Sequence, residues 1–253
     1  MIRSFASGGI SPLKMYGLTQ ANQRVWGAIL SKTGIDMPAL PEISAMDLGA
    51  LLCSRVCHDI ISPVGAIANG LELLDEDGTD EDTKEIAMGL IRSSAVNASS
   101  KLQFARIAFG AAGSAGADID TGDAQNVAQG YFDTEKKTTL EWAGERSLLP
   151  KNKVKFLLNM LLIALHAIPR GGVVSASFED PHGSPSFKVV ATGKNARVPP
   201  VFLDLLNGTF EENLDAHAVQ PLYALKLAEA AGLEVSASLQ DESVVFTAVP
   251  AAS

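Results

Sequence analysis

Hydrophobic side chains recur at three- and four-residue steps for about 30 residues from Ser44, which is the spacing of an amphipathic helix. The members of this stripe are Leu48, Leu52, Val56, Ile60, Val64, Ile67, Leu71 and Leu74. Residues 75–78 (Asp-Glu-Asp-Gly) interrupt the pattern, and the acidic residues 80–82 open a second helical run, where negative charge suits a helix N-terminus. That run ends in the glycine-rich segment 110–116. We therefore predict two long helices joined by a tight turn, as an antiparallel hairpin.

The second half of the chain alternates between short strand-like runs and longer helical ones. Strands are predicted at 138–142, 172–178, 186–191, 233–239 and 243–249, and helices at 151–168 and 216–231, the latter ending at Gly232. This order predicts an α/β sandwich with helices on one face of a mixed sheet. The whole chain is thus expected to be α+β. The expected domains are an N-terminal arm of unknown role (1–43), a helical-hairpin domain (44–112) and a C-terminal α/β domain (120–253).

A single hairpin cannot bury its apolar stripe by itself. Two hairpins can do so as a four-helix bundle, so a homodimer is the expected state.

Composition narrows the class of protein. Of the 253 residues, 47% are hydrophobic and 19% charged, so a folded core is expected. The net charge of −9 argues against a nucleic-acid partner, which a basic patch would attract. No signal peptide is apparent, and the most apolar run, 154–168, contains Lys155 and is too short to cross a bilayer. With Cys53 and Cys57 as the only cysteines, the expectation is a cytoplasmic protein without a membrane partner.

His58 lies on the opposite side of the first helix from the apolar stripe. With Leu48 at zero and about 100° per residue, His58 falls near 280°, and five members of the stripe fall near 40–120°: Leu52, Val56, Ile60, Ile67 and Leu74. Ser62, Gly65 and Asn69 share the face of His58, between roughly 260° and 320°. The imidazole is therefore expected on a solvated surface among small side chains, where a bulky partner could approach it.

An imidazole has an ordinary pKa of about 6.5, and its neutral form is a competent nucleophile at neutral pH. Asp59, the next residue, could orient the ring or accept a proton. The simpler interpretations are that His58 is a surface histidine and that Asp59 is an ordinary helix-surface acid. A zinc site with Cys53 and Cys57 fails on geometry, because both point about 100° or more away from His58. These thiols are better explained as small buried groups.

Three segments resemble parts of sensor histidine kinases. Residues 58–64 (His-Asp-Ile-Ile-Ser-Pro-Val) resemble the H-box on the first helix of a dimerisation hairpin, and residues 159–172 resemble the N-box of the ATP-binding domain. Ile163 stands where that family has a magnesium-binding asparagine, and Ala191 where it has the adenine-binding aspartate. Residues 217–221 replace the phosphate loop without a glycine. The resemblance therefore implies a kinase-like ATPase fold that has lost its means of binding ATP.

This combination resembles the ChpT-type histidine phosphotransferases of bacterial cell-cycle phosphorelays. The resemblance implies a homodimeric bundle in which His58 receives a phosphoryl group from the receiver domain of a hybrid histidine kinase. Delivery would go to the receiver aspartate of a response regulator of the CtrA or CpdR type. No cofactor is expected on this chain, because Mg²⁺ would come with the receiver. Asp59 would be the orienting acid, and the receiver would dock on Ser62, Gly65, Ala66 and Asn69.

Two alternatives stay open at this stage. The chain could be an ATP-dependent histidine kinase with divergent nucleotide boxes, or a non-catalytic dimeric scaffold that docks on receiver domains. The other histidines receive no role: His166 is expected to be a core or semi-buried residue, His182 to lie in a turn, and His217 in the former phosphate loop.

Overall fold

The computed structural model describes residues 39–110, 118–211 and 213–251. Almost all of the predicted N-terminal arm and the glycine-rich segment after residue 110 lie outside these ranges.

Two long helices form the predicted hairpin. Helix α1 spans Ala45–Asp75 and helix α2 spans Glu81–Ala108. Each begins at a side-chain cap: Ser44 accepts from the backbone N–H of Asp47, and Asp80 from that of Thr83. Gly78 turns the chain between the helices with a φ of 88°, a left-handed conformation that glycine adopts without strain.

A five-stranded mixed sheet lies in the C-terminal half. Its strands are β2 (Thr138–Ala143), β4 (Gly172–Glu179), β5 (Ser186–Thr192), β6 (Leu233–Gln240) and β7 (Ser243–Pro250). Their order across the sheet is β2-β4-β5-β7-β6. Only the β2–β4 pair is parallel. A separate antiparallel pair joins β1 (Asp118–Asp120) to β3 (Leu148–Pro150). All five predicted strands are therefore confirmed, and β1 and β3 were not predicted.

Four helices accompany this sheet, two of which the sequence pattern predicted. The predicted pair is α4 (Lys151–Ala167) and α6 (Val219–Ala230), followed by Gly232 with a φ of 64°. The other two are α3 (Thr121–Phe132) and α5 (Pro200–Asn207). Helix α4 is buried along most of its length and forms the centre of the core. The α+β fold class is thus confirmed.

The hairpin packs on the C-terminal half through the end of α2. Phe104, Ile107 and Ala108 are buried in the same hydrophobic core as α4 and the sheet. The buried side chain of Asn159 on α4 donates from Nδ2 to the carbonyl oxygen of Ala108 at 3.1 Å. This bond fixes the end of the hairpin against the central helix.

Much of the hairpin's apolar surface is left exposed within one chain. We call these residues the exposed hairpin face: Met46, Ile61, Val64, Leu71, Ile86, Met88, Leu90, Val96 and Leu102. Cys53 and Cys57 are also exposed, so the prediction that they are buried thiols was wrong. On the helical wheel they lie near 140° and 180°, beside Val64 near 160°, on a side of α1 that stays exposed among the described residues.

Helix α1 is the one helix in the described ranges that is long and apolar enough to span a bilayer by length and composition. A single helix of this kind is weak evidence for a membrane span. Arg55, His58 and Asp59 lie near its middle, where ionisable groups would be costly in hydrocarbon.

Candidate functional site

His58 lies in the middle of α1 with 64% of its side chain exposed, as its place opposite the apolar stripe predicts. Its Nδ1 lies 3.4 Å from Oδ1 of Asp59. The other carboxylate oxygen of Asp59, Oδ2, accepts from Nε of the buried Arg55 at 3.1 Å. Asp59 therefore has one oxygen for each neighbour, and Arg55 holds the carboxylate in place beside the imidazole.

This arrangement distinguishes the two ring nitrogens of His58. Within the described part of the chain, Asp59 is the one hydrogen-bonding partner of the ring, and it faces Nδ1. A proton held on Nδ1 by a carboxylate leaves the lone pair on Nε2, which is the nucleophilic nitrogen of that tautomer. The site can therefore attack an electrophile through Nε2, while Asp59 stabilises the positive charge that develops on the ring.

His58 and Asp59 form one wall of an open cleft of about 650 Å³ between the hairpin and the C-terminal half. The hairpin supplies Arg55, Asn97 and Lys101 to this cleft. The opposite wall comes from the end of α3, the loop before β2, the end of α4 and the turn before α6; it includes Tyr131, Glu135, Lys136, Lys137, His166 and His217. The phosphoacceptor candidate is thus part of a site that two regions of the fold build together.

The imidazole of His217 lies against that of His58. The ring centroids are 5.6 Å apart and the ring planes make an angle of 75°, an edge-to-face arrangement. A tight turn holds His217 in place, because Oδ1 of Asp215 accepts from the backbone N–H groups of His217 and Ala218, both at 2.8 Å. Sequence reasoning gave His217 no role, because no local pattern links it to a residue on α1.

His166 is exposed rather than a core or semi-buried residue, so that prediction was wrong. It is near the end of α4 on the exposed side and lines the cleft. Loss of solvent in the cleft, with a further effect of the positive charge of Arg55, lowers the pKa of His166, which favours its neutral form. Tyr131, also in the cleft, has a raised pKa because it is buried and because Asp59 and Glu135 are negative, so its hydroxyl stays protonated.

The four predicted docking residues continue from His58 along the same helix. Ser62 and Asn69 are exposed, and Gly65 and Ala66 are half-buried. A Cβ atom added to Gly65 would have no heavy atom within 4 Å beyond its chain neighbours and the local helix backbone. This part of α1 therefore presents small side chains with free space above Gly65.

Four residues of the segments that resemble nucleotide boxes are buried, and two of these four are hydrogen-bonded to each other. Ile163 and Ala191 are 1% and 0% exposed. From the segment that replaces the phosphate loop, the buried Gln220 donates through Nε2 to the carbonyl oxygen of Asn159 at 2.9 Å and to its Oδ1 at 3.2 Å. Pro221 lies at the third residue of α6, within its first turn. A buried helix start thus lies where the resemblance to histidine kinases places a phosphate-binding loop.

A curated relative, protein phosphotransferase ChpT of Brucella abortus (strain 2308), is 62% identical over 207 residues, covering 81% of this chain and 97% of the relative. The chain belongs to the ChpT family of histidine phosphotransferases. The family described as "Histidine phosphotransferase C-terminal domain" matches residues 121–243. The resemblance found in the sequence is therefore confirmed, and the chain is a protein phosphotransferase.

One solved structure agrees with membership of the ChpT family. That structure, described as a bacterial phosphotransferase, is 57% identical, covers 84% of this chain and all of that one, and has a TM-score of 0.75. The histidine kinase AdeS of Acinetobacter baumannii also matches, at 13% identity and a TM-score of 0.42, over 78% of this chain and 98% of that one. The overall fold described above is thus that of a solved phosphotransferase.

Proposed function

We propose that this protein relays a phosphoryl group from the receiver domain of a hybrid histidine kinase, through phospho-His58, to the receiver aspartate of a response regulator. The observation that carries the proposal is the exposed imidazole of His58 with Asp59 at Nδ1. Nε2 attacks the phosphorus of the receiver's acyl phosphate, an N–P bond forms, and the aspartate carboxylate leaves. The phosphorylated ring keeps its proton on Nδ1 beside Asp59. Delivery is the reverse step on a second receiver.

ATP plays no part in the proposed reaction. Supporting this, the positions where a kinase would hold magnesium and adenine carry the buried apolar residues Ile163 and Ala191. In addition, Gln220 and Asn159 are buried and hydrogen-bonded to each other, so their polar groups are not open to a ligand. The chain is expected to bind no cofactor, and the Mg²⁺ for the transfer comes with the receiver.

The receiver docks over His58 on Ser62, Gly65, Ala66 and Asn69 in this proposal. Small side chains and the free space above Gly65 support it, since a receiver must bring its aspartate within bonding distance of the imidazole. Regulators of the CtrA and CpdR types are the proposed acceptors, on the strength of the family resemblance.

The active form is proposed to be a cytoplasmic homodimer. The exposed hairpin face supports this, because pairing two copies as a four-helix bundle would remove side chains such as Ile61 (72% exposed) and Ile86 (71% exposed) from water. A partner in the cytoplasm, rather than a lipid bilayer, then covers the apolar side of α1.

The test is phosphoryl transfer with the purified full chain and ³²P label. One arm supplies ATP and Mg²⁺ alone, and the other supplies a phosphorylated hybrid-kinase receiver. Labelling only in the receiver arm, lost in His58→Ala and kept in the matched control His182→Ala, is the expected result. Labelling from ATP alone would instead identify a kinase, and receiver binding without any labelling would identify a scaffold.

A further inference from the structure

We infer that His217 is a positioning residue for phosphoryl transfer, because its ring packs edge to face on the imidazole of His58 and holds that ring for attack. The inference rests on the proposed function, in which His58 is the phosphoacceptor. It adds to that function a second residue, which comes from the C-terminal half of the chain.

The side chain of His58 has few neighbours that limit its rotation. With 64% of the side chain in solvent, few contacts restrict its rotation. Asp59 restrains one edge of the ring through Nδ1, but one hydrogen bond of 3.4 Å leaves the ring able to turn about that contact. The contact with His217 supplies a second restraint at a different part of the ring.

Hydrogen bonds hold the backbone of His217 in place. An exposed side chain can position another only if its own backbone is fixed. The two hydrogen bonds from the turn to Asp215 Oδ1 and the backbone bond from Val219 N–H to the Asp215 carbonyl, at 3.0 Å, fix that backbone. The next residues, Ala218, Val219 and Gln220, are buried. His217 is therefore attached to the core through the start of α6.

The contact between the rings of His217 and His58 acts on the transfer rate through the direction of the attacking nitrogen. Transfer between a receiver aspartate and a histidine requires the attacking nitrogen to lie in line with the phosphorus–oxygen bond, and small misalignments of a nucleophile cost large factors in rate. Two restraints, Asp59 on Nδ1 and His217 on the ring, define the direction in which Nε2 points. Residues 217–221, which resemble a replaced phosphate loop, thereby position the imidazole of His58 instead of binding a nucleotide.

The test uses single-turnover transfer from a phosphorylated receiver to the full chain, at a series of receiver concentrations that gives a maximal rate and a half-saturation concentration. His217→Ala is expected to lower the maximal rate about fivefold to tenfold and to change half-saturation less than twofold. His217→Phe keeps a ring for the same contact and is expected to restore the rate to within twofold of wild type. His182→Ala is the matched control and is expected to behave as wild type.

A second measurement observes His58 directly. In ¹⁵N–¹H spectra of the imidazole nitrogens, His217→Ala is expected to shift or broaden the His58 signals, and His217→Phe to preserve a single narrow set. Thermal melting of each variant checks that the fold is kept.

Three outcomes would overturn the inference: an unchanged maximal rate in His217→Ala, a change confined to half-saturation, or a His217→Phe variant as slow as His217→Ala. The second of these would place His217 in receiver docking, and the third would assign the effect to a ring nitrogen. If wild type and His182→Ala both fail to accept phosphate, the proposed function itself fails, and the role of His217 fails with it.

Discussion

Nε of Arg55 lies 3.1 Å from Oδ2 of Asp59 one turn further along α1, and the side chains are 9% and 22% exposed. The pair therefore has little access to water, so each charge depends on the other more than in a surface ion pair. Because the second oxygen of Asp59 faces His58, the same carboxylate connects the stability of the helix to the chemistry of the imidazole.

We expect Asp59→Ala to reduce both stability and transfer. Loss of the carboxylate leaves the buried Arg55 without its partner, at a cost of about 1–3 kcal/mol in the free energy of unfolding. It also removes the group that stabilises the charged ring, which should slow phosphoryl acceptance about 10- to 100-fold. Urea unfolding and single-turnover transfer measure the two effects.

Asp59→Asn separates the two roles. The amide oxygen still accepts from Arg55, so less stability is lost, whereas the negative charge beside Nδ1 is gone and transfer is expected to stay slow. A rate in Asp59→Asn equal to that of wild type would contradict the assignment of Asp59 as the orienting acid.

Gly65 provides a test of receiver docking that leaves the fold intact. A Cβ there meets open space, so Gly65→Ala should stabilise the helix by about 0.5–1 kcal/mol. A larger side chain, Gly65→Gln, should raise half-saturation for the receiver at least tenfold, because it projects into the proposed docking surface. Gly49, near the start of the same helix and also open, gives the matched control Gly49→Gln, which should transfer normally. Equal half-saturation in both variants would exclude Gly65 from the docking surface.

Ile61, the most exposed large hydrophobic side chain in the middle of α1, tests the dimer. Sedimentation equilibrium should find wild type as a dimer and Ile61→Glu as a monomer, because the substitution places a charge in an interface that must lose water. Leu239→Glu also replaces an exposed apolar residue, on β6, and should remain dimeric. A monomeric wild-type chain at micromolar concentration would contradict the four-helix bundle.

The sequence was sufficient to predict the hairpin, the five-stranded sheet and the exposure of His58, because each depends on local periodicity. The spacing of the hydrophobic residues shows which side of α1 faces α2. At about 100° per residue, the position of His58 in the sequence then places it on the opposite side of the helix. The caps at Ser44 and Asp80 are equally local. Helix α5 has only eight residues, too few for a helical period to be recognised before the fold places it.

The partners of His58 across the cleft could not be predicted from the sequence. His217 and His58 are far apart in the chain, and the packing of the start of α6 against α1 brings them together. The hydrogen bonds between Gln220 and Asn159 could not be predicted either, because the sequence around each residue gives no sign of the other. The prediction that Cys53 and Cys57 are buried was wrong because their side of α1 stays exposed to solvent among the described residues.

Ala191 tests whether the nucleotide site can be restored. Its side chain is fully buried on β5, so Ala191→Asp would place a carboxylate out of contact with solvent. We expect a loss of about 3 kcal/mol or more in the free energy of unfolding at pH 7. Neither this variant nor the double variant with Ile163→Asn should bind ATP in calorimetric titrations with Mg²⁺. Ala191→Val changes volume without charge and controls for steric strain; tight ATP binding by the double variant would show that the site is intact apart from its ligands.

Asp215 offers a route to His217 that leaves the imidazole in place. Asp215→Ala removes the acceptor of two backbone N–H groups, so the turn before α6 loosens, with a loss of about 0.5–1 kcal/mol in the free energy of unfolding. If His217 positions His58, the maximal transfer rate should also fall, about two- to fivefold, without a matching change in half-saturation.

The pH dependence of Asp215→Ala gives an independent check. Hydrogen bonds from the backbone of Ala218 and His217 lower the pKa of Asp215, so its contribution to stability is present above the unfolded value of about 3.9 and is lost as the pH falls through the folded value. The stability difference between wild type and Asp215→Ala should therefore be present at neutral pH and shrink as the pH falls below about 4. Asp204→Ala, which removes a half-buried acid on α5, is the control and should leave the transfer rate unchanged. A transfer rate in Asp215→Ala equal to that of wild type, together with the expected stability loss, would mean that the turn supports α6 alone and does not act on His58.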